Sequence, residues 1–462
     1  MGTTPEEVTA PGLVKGLGLL DATTLVIGSM IGSGIFIVAA DIARQVQSPG
    51  LLILTWVITA ALTMTAALSY GELAAAFPQA GGQYVYLREA FGPLSAFLYG
   101  WTLFLVIQTG TIAAVAVAFA KFAGVLVPWI STTNKLLPFI STQQLVAIGV
   151  LVALTWVNTR GVKTGAAVQN VFTFAKVGAL LGLVGLGLLL GRNPEAIAQN
   201  FGGFWDNADW SWTTIRILGV ALVGALFSSD AWNNVTFTAG EIRNPRRNVP
   251  LALGIGVGTV SLIYLACNFV YLSVLPLAGI QNAAEDRVAT AAASGILGPA
   301  GVQVMAVAIM VSTFGCLNGM ILAGARVYYA MALDKLFFRQ VAELDPVRRT
   351  PVASLGLQCV WACALTLSGT YSDLLDYVIF AVLLFYMMTI AGIFVLRRKR
   401  PELERPYRAA GYPVLPALYI AAAGVIEVLL LLYKPFYTWP GLILVLMGVP
   451  VYYIWRSRAS AA

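Results

Sequence analysis

Histidine is absent from all 462 residues. That excludes a histidine proton relay, a Ser–His or Cys–His catalytic pair and any histidine-ligated metal. Charge is scarce as well, at 11% of residues, where a soluble domain carries about 25%. Only four cysteines occur, Cys267, Cys316, Cys359 and Cys363, and each falls in an apolar run. They read as small buried residues, not as a disulfide framework. An enzyme needs titratable groups that converge, and these absences leave few. A cleavable leader is not expected either. The first sixteen residues are polar, carry Glu6, Glu7 and Lys15, and show no charged n-region followed by a cleavage site.

Apolar sequence is what the chain has in abundance: 59% hydrophobic residues and a mean hydropathy of +0.81. Length alone suggests about three domains, but the apolar runs are each long enough to cross a bilayer. Twelve are expected, near 17–40, 51–76, 94–120, 143–159, 167–190, 213–240, 251–275, 299–332, 352–370, 373–396, 413–432 and 438–455. The fold class is therefore an all-α membrane protein of twelve transmembrane helices. With the N-terminus in the cytoplasm, nineteen Lys and Arg residues fall on inner segments and six on outer ones. That bias satisfies the positive-inside rule and places both termini inside. It also accounts for the net charge of +7 without nucleic acid, whose binding needs a solvated basic face.

The first span is interrupted by Gly28-Ser29-Met30-Ile31-Gly32-Ser33-Gly34. Glycine costs about 1 kcal/mol per helix position relative to alanine, and an opened backbone in hydrocarbon is tolerated only when buried in protein or lining a wet cavity. The sixth span carries a second interruption, Phe227-Ser228-Ser229-Asp230-Ala231-Trp232-Asn233-Asn234. Aspartate at mid-span costs about 2.5–3.5 kcal/mol on insertion scales. If spans 1–5 and 6–10 are two repeats, both breaks occupy the first span of a repeat. An odd number of spans inverts the second repeat, and two broken helices then meet near the midplane, the usual place of a transporter's site. The expected organisation is a cytoplasmic tail at 1–16, a ten-helix core at 17–396 with repeats near 17–190 and 213–396, and peripheral helices at 397–462.

The motif from Gly28 to Phe36 resembles the first-helix signature of the amino acid–polyamine–organocation transporters. The stretch from Gly71 to Gly92 resembles that family's second-helix end and following loop. Phe227 through Pro250, Val168 to Leu180 and Ser312 to Gly319 are similar to the L-type amino acid transporter branch and its bacterial relatives, including serine/threonine exchangers. The resemblance covers about residues 15–400 and implies a LeuT-type fold with helices 1 and 6 broken.

An amino acid zwitterion fits such a site. Its carboxylate seeks amides at a helix N-terminus, which the second half of span 1 offers near Ser33 and Gly34, with Gly32 allowing close approach and Ser29 adding a hydroxyl. Its ammonium seeks carbonyls or a carboxylate, with Met30, Ile31, Phe227, Ser228 and Asp230 as candidates. Gly28 and Gly32 also fit a GxxxG packing face; Gly34 and the resemblance favour binding. Phe227 resembles an aromatic gate over the substrate, and Trp232, Asn233 and Asn318 are candidates for shaping the side-chain pocket. Span 10 adds Phe385 and Tyr386.

Lys176 lies about halfway along the fifth span, where a lysine should face the bundle interior unless it snorkels to an interface. The resemblance implies that its ammonium replaces a sodium ion between spans 1 and 8, bonding carbonyls near Gly28 and the hydroxyls of Ser312 or Thr313. Asp230 is expected to cap the second half of span 6, accepting N–H bonds from Asn233 or nearby; reading a substrate ammonium or carrying a proton is the alternative. Glu72 is expected to pair with Arg88, Glu427 to lie at an interface, and Asn244 to Pro250 to form an elbow where proline stops a helix.

The expected function is sodium-independent transport of neutral L-amino acids across the cytoplasmic membrane, by exchange. A proton-coupled or cationic amino acid carrier of the same fold is the alternative, and a membrane enzyme or channel the different-class rival. No cofactor and no metal are expected. The connection 121–142 holds no cysteine, where animal L-type members use one to bond an accessory glycoprotein, so no disulfide-linked subunit is expected. Membrane lipid is the remaining partner.

Overall fold

Hydrocarbon offers no hydrogen bonds, so an apolar run must satisfy its backbone internally, as a helix. The computed structural model describes residues 12–137, 140–368 and 371–461. Glu6 and Glu7 lie outside the described residues.

The first apolar run forms two helices, α1 (Leu19–Met30) and α2 (Gly34–Val46), bent by 41° at the glycine break. α3 (Pro49–Ala76), a short α4 (Gln83–Phe91) and α5 (Pro93–Leu126) follow. Next come α6 (Thr142–Thr159), α7 (Val162–Leu189) and a short α8 (Pro194–Gly202). The second break separates α9 (Trp212–Ser228) from the single turn α10 (Asn234–Phe237). The chain continues through α11 (Pro245–Val274), a short α12 (Val288–Leu297), α13 (Ala300–Leu333), α14 (Val352–Ser368), α15 (Tyr371–Lys399), α16 (Val414–Tyr433) and α17 (Pro435–Ala461). Among the described residues, nine helices are long and apolar enough to cross a membrane, and the bent α1–α2 pair makes a tenth. α9 and α14 are apolar but only 17 residues long. The expected short fourth and ninth runs each form one separate helix. α4, α8 and α12 escaped the sequence reading because each is shorter than a spanning window.

α1 packs against α7, α11 and α13, and α2 against α9. Thus both broken segments sit inside the bundle. α16 and α17 pack on α15, with α16 also against α9 and α3 and α17 against α5.

Below the breaks the chain is pinned. Leu17 N–H donates to the Glu241 carbonyl (2.9 Å) and Arg243 N–H to the Leu17 carbonyl (2.8 Å). The Glu241 carboxylate receives Nε and Nη2 of Arg326 at 2.7 and 3.0 Å. Both side chains are 1% exposed. This bidentate pair ties the loop after the second break to α13, and the loop in turn holds the start of α1.

Three charge and turn expectations are corrected. Glu72 pairs with Arg397 (2.7 Å) and Arg405 (3.4 Å), not with Arg88. Arg88 instead reaches Asp334 (2.6 Å) and Glu89 (3.2 Å). Glu427 is buried within the bundle, and neither of its carboxyl oxygens has a hydrogen-bond partner. The elbow at Asn244 is present, with φ +47° and Pro245 opening α11, but the helix runs on through Pro250. Proline at the sixth position of the helix removes one amide donor, the one for the Arg246 carbonyl, without ending the helix.

Removing one partner of a buried ion pair strands the other charge, at a cost of about 3–5 kcal/mol. Glu241→Ala is therefore expected to lower the melting temperature of the purified protein markedly, and Glu241→Gln less. Thermal melting in detergent checks this; an unchanged midpoint for Glu241→Ala would refute it.

Candidate functional site

α1 ends at Met30 and α2 begins only at Gly34, which leaves the five carbonyls of residues 28–32 open in the bundle interior, and each finds a donor. Lys176 Nζ from α7 donates to the carbonyls of Gly28 and Ile31, both at 2.8 Å. Ser312 Oγ from α13 reaches the carbonyls of Ile31 (3.1 Å) and Gly32 (3.0 Å). Cys316 Sγ lies 3.1 Å from the Ser29 carbonyl. The Met30 carbonyl accepts from Gly32 N–H (2.9 Å) and from the hydroxyl of Tyr264 on α11 (3.1 Å).

Lys176 is 1% exposed, so it does not snorkel. Its ammonium sits between two converging carbonyls, those of Gly28 and Ile31. The expected bonds to Ser312 and Thr313 are not made. Ser312 shares only the Ile31 carbonyl with Lys176, and Thr313 bonds back along its own helix to Ile309 (2.8 Å). A threonine at that spacing satisfies its hydroxyl locally at no cost in reach.

Tyr264 lies within hydrogen-bond reach of both breaks. Its hydroxyl also lies 3.0 Å from the carbonyl of Ser228, at the end of α9. The sequence reading missed this residue, since a tyrosine in an apolar run carries no signal of its own.

Between the breaks lies about 330 Å³ of atom-free space. Ser29, Met30, Gly32, Ser33 and Gly34 line it from the first break, and Phe227, Ser228 and Asp230 from the second. Thr111, Cys316 and Met320 complete the wall. Cys316 and Met320 stand four and eight positions after Ser312, one face of a helix, a spacing by which the sequence could have shown them. The first amides of α2 lack intrahelical acceptors, and the Ser29 hydroxyl is buried without a partner. That corner suits an anion. Opposite it stands Asp230, which also borders two neighbouring cavities of about 340 and 270 Å³.

The expected residues divide. Ile31 is fully buried and its carbonyl already takes two donors, so it supports the break and does not line the cavity. Asp230 makes no cap bond to Asn233. Its Oδ1 accepts the Tyr386 hydroxyl at 2.6 Å, because the turn at Ala231, with φ +64°, turns the carboxylate toward α15. Trp232 packs between Tyr70 and Tyr386, with ring centroids 4.8 and 5.0 Å away. Asn233 lines the 340 Å³ cavity and donates to Gln83 (2.9 Å). Phe385 stacks edge-on against Tyr99, away from Asp230. Asn318 lies outside the cavity, in a buried amide chain with Asn158, Gln169 and the Gly165 carbonyl. Asn318 stands two positions from both Cys316 and Met320, about 200° round the helix, and so faces α7.

The glycines have different duties. A Cβ on Gly28 would strike Gln169 and Thr173, and one on Gly34 would lie 2.9 Å from the Ser228 backbone. These two permit helix contact. A Cβ on Gly32 would meet only Cys316 Sγ, at 3.2 Å, on the cavity side. Gly34→Ala is expected to abolish correct assembly, because backbone cannot yield as a flexible side chain does. Gly32→Ala is expected to leave a monodisperse protein with weakened ligand binding. Size-exclusion profiles and ligand-induced melting shifts of the two variants decide it; a well-assembled, fully active Gly34→Ala would overturn the packing assignment.

The site agrees with what the whole chain is similar to. A family model described as amino acid permease matches residues 17–452. Asc-type amino acid transporter 1 of Homo sapiens is 30% identical over 463 residues, covering 99% of this chain and 86% of the relative. Large neutral amino acids transporter small subunit 2 of Mus musculus is 29% identical, covering 99% and 85%. The b(0,+)-type amino acid transporter 1 of Mus musculus is 30% identical, covering 98% and 92%. With its two broken helices facing one cavity and a family match across nearly its full length, this chain belongs to the amino acid permease family of multi-pass membrane transporters.

Proposed function

We propose that this protein exchanges neutral L-amino acids across the cytoplasmic membrane, independently of sodium, by alternating access. The observation that carries the reading is the cavity lined by both breaks, with an anion-favouring corner at α2 and an ammonium-favouring wall at Asp230. A zwitterion matches that polarity. Ser29, Ser33, Gly32 and Gly34 hold the carboxylate in this reading. Asp230 and the Ser228 carbonyl face the ammonium, and Phe227 and Met320 face the side chain. Membership of the family and relatives named for neutral amino acids support it.

The architecture we propose is twelve spans with both termini cytoplasmic. The core runs from 17 to 396 as inverted repeats near 17–190 and 213–396, with α16 and α17 peripheral. One relative is named a small subunit. In this chain the connection 121–142 has no cysteine, so we propose a transporter without a disulfide-linked partner.

Sodium independence rests on Lys176. Uptake into proteoliposomes is expected to be unchanged when choline replaces sodium, and Lys176→Ala is expected to lose most transport because the Gly28 and Ile31 carbonyls lose their donor. Saturable stimulation of the unaltered protein by sodium would end this reading.

A second reading, a cationic or proton-coupled carrier, is favoured by one observation: a carboxylate, Asp230, faces the cavity. Asp230→Asn separates the two. An exchanger of neutral amino acids is expected to keep much of its activity, since asparagine retains the bond from Tyr386 and a carbonyl toward the ammonium. A cationic carrier would lose lysine and arginine uptake, and a proton-coupled one its pH dependence. Uptake of both substrate classes at pH 5–8 decides; collapse of neutral exchange at normal expression would promote the second reading.

A further inference from the structure

α5 is not a regular helix. Residues Leu103–Ile107 form a π-helical turn, in which Gln108 N–H donates to the Leu103 carbonyl, five residues back. Such turns are rare, occur as single bulges and gather at functional sites. This one is supported from outside. Thr109 Oγ1 donates to the Phe104 carbonyl (2.6 Å) and Trp361 Nε1 of α14 to the Leu105 carbonyl (3.0 Å). Two side chains thus bond carbonyls within the bulge.

The bulge separates two spaces. Leu103 and Ile107 line the 340 Å³ cavity that Asp230 and Tyr386 also border. Leu105 and Val106 face the other way, into a groove closed by Gly110, Leu365 of α14, Ala381 of α15 and Leu444 of α17. The groove, with the space at its mouth, holds about 740 Å³ free of atoms. It offers nothing polar. Its one hydroxyl, on Thr102, is bonded to the Leu98 carbonyl (2.7 Å), and the nearby Trp101 Nε1 is bonded to the Leu444 carbonyl (3.1 Å). An apolar cavity of this kind stays dry, and leaving it empty forfeits dispersion contacts on every wall. Three of the four helices around it, α5, α15 and α17, are long and apolar enough to cross a bilayer, which makes hydrocarbon the medium at its mouth.

We propose that this groove binds one acyl chain of a membrane phospholipid, and that the bound chain sets the shape of the substrate cavity through the π-helical turn. The link is geometric. One residue of register, moved into or out of the bulge, rotates the following helix by about 100° at 3.6 residues per turn. Leu103 and Ile107 cannot shift on the cavity side without Leu105 and Val106 shifting on the lipid side. A chain packed against Leu105 and Val106 therefore favours the bulged form. The binding claim stands without the transport reading, whereas the coupling claim rests on it.

The test uses the full-length protein in proteoliposomes containing a phosphatidylcholine with a diazirine on its acyl chain. After irradiation, label is expected on the α5 segment at Leu105 to Gly110 and near Leu444, several-fold above label on Phe174 and Leu181 of α7, which are 58% and 52% exposed. Val106→Trp, which fills the groove, is expected to reduce that label to the α7 level, and Val106→Ala to keep it. Gly110→Leu is the second filling variant; its new Cβ would meet only Val378, at 3.7 Å, an ordinary van der Waals contact. In monodisperse preparations, either filling variant is expected to change exchange of a neutral amino acid several-fold. Label on α5 no greater than on α7 overturns the site. Loss of label with exchange unchanged overturns the coupling. If the unaltered protein carries the label yet transports no amino acid, the lipid site stands and the proposed function falls.

Discussion

Five backbone carbonyls opened inside a membrane protein are the constraint on which the rest depends. In hydrocarbon each unpaired carbonyl costs several kcal/mol, so the unwound segment of the first span exists only because other helices bring donors to it. α7 brings Lys176, α13 brings Ser312 and Cys316, and α11 brings Tyr264. The positions of three spans around the break follow from that requirement. The buried ammonium is compensated in turn: it takes two carbonyl dipoles where another fold would supply a carboxylate.

The supports lie below and beside the cavity as well as within it. The amide chain of Asn158, Asn318 and Gln169 joins α6, α13 and α7 under the site, and Gln169 continues to the Thr24 carbonyl on α1 (3.4 Å). The Arg326–Glu241 pair then secures the loop after the second break. Polar groups are thus concentrated where helices must keep register, and apolar packing fills the space between. Buried pairs and amide chains of this kind are costly when half-satisfied and specifying when complete.

Much of this was legible in the sequence, and the reason is depth. A glycine cluster, an aspartate and a lysine in apolar runs each violate the demands of hydrocarbon, so Gly28 to Gly34, Asp230 and Lys176 stood out before any coordinates. What the violation did not disclose was direction. Asp230 looked like a cap because it precedes a helical turn, yet the turn at Ala231 aims it at Tyr386. Asn318 reads as a pocket residue because Cys316 and Met320 are, but two helical positions turn it toward α7. Tyr264 and the π-helical turn left no mark at all, since a tyrosine and five apolar residues break no rule of membrane sequence. Ion-pair partners such as Glu72 and Arg397 are distant in the chain and meet only through tertiary packing.

Tyr264 has one further property. A phenol carries a single hydrogen, yet the hydroxyl sits 3.1 Å from the Met30 carbonyl and 3.0 Å from that of Ser228. It can direct that hydrogen fully at only one of them. The two bonding choices are nearly equal in length, so turning the hydroxyl from one break to the other exchanges one bond for its equivalent. The joint between the two broken helices therefore behaves as a swivel, not a weld: either segment can slip away while the other keeps the proton, and the parting leaves the phenol bonded throughout.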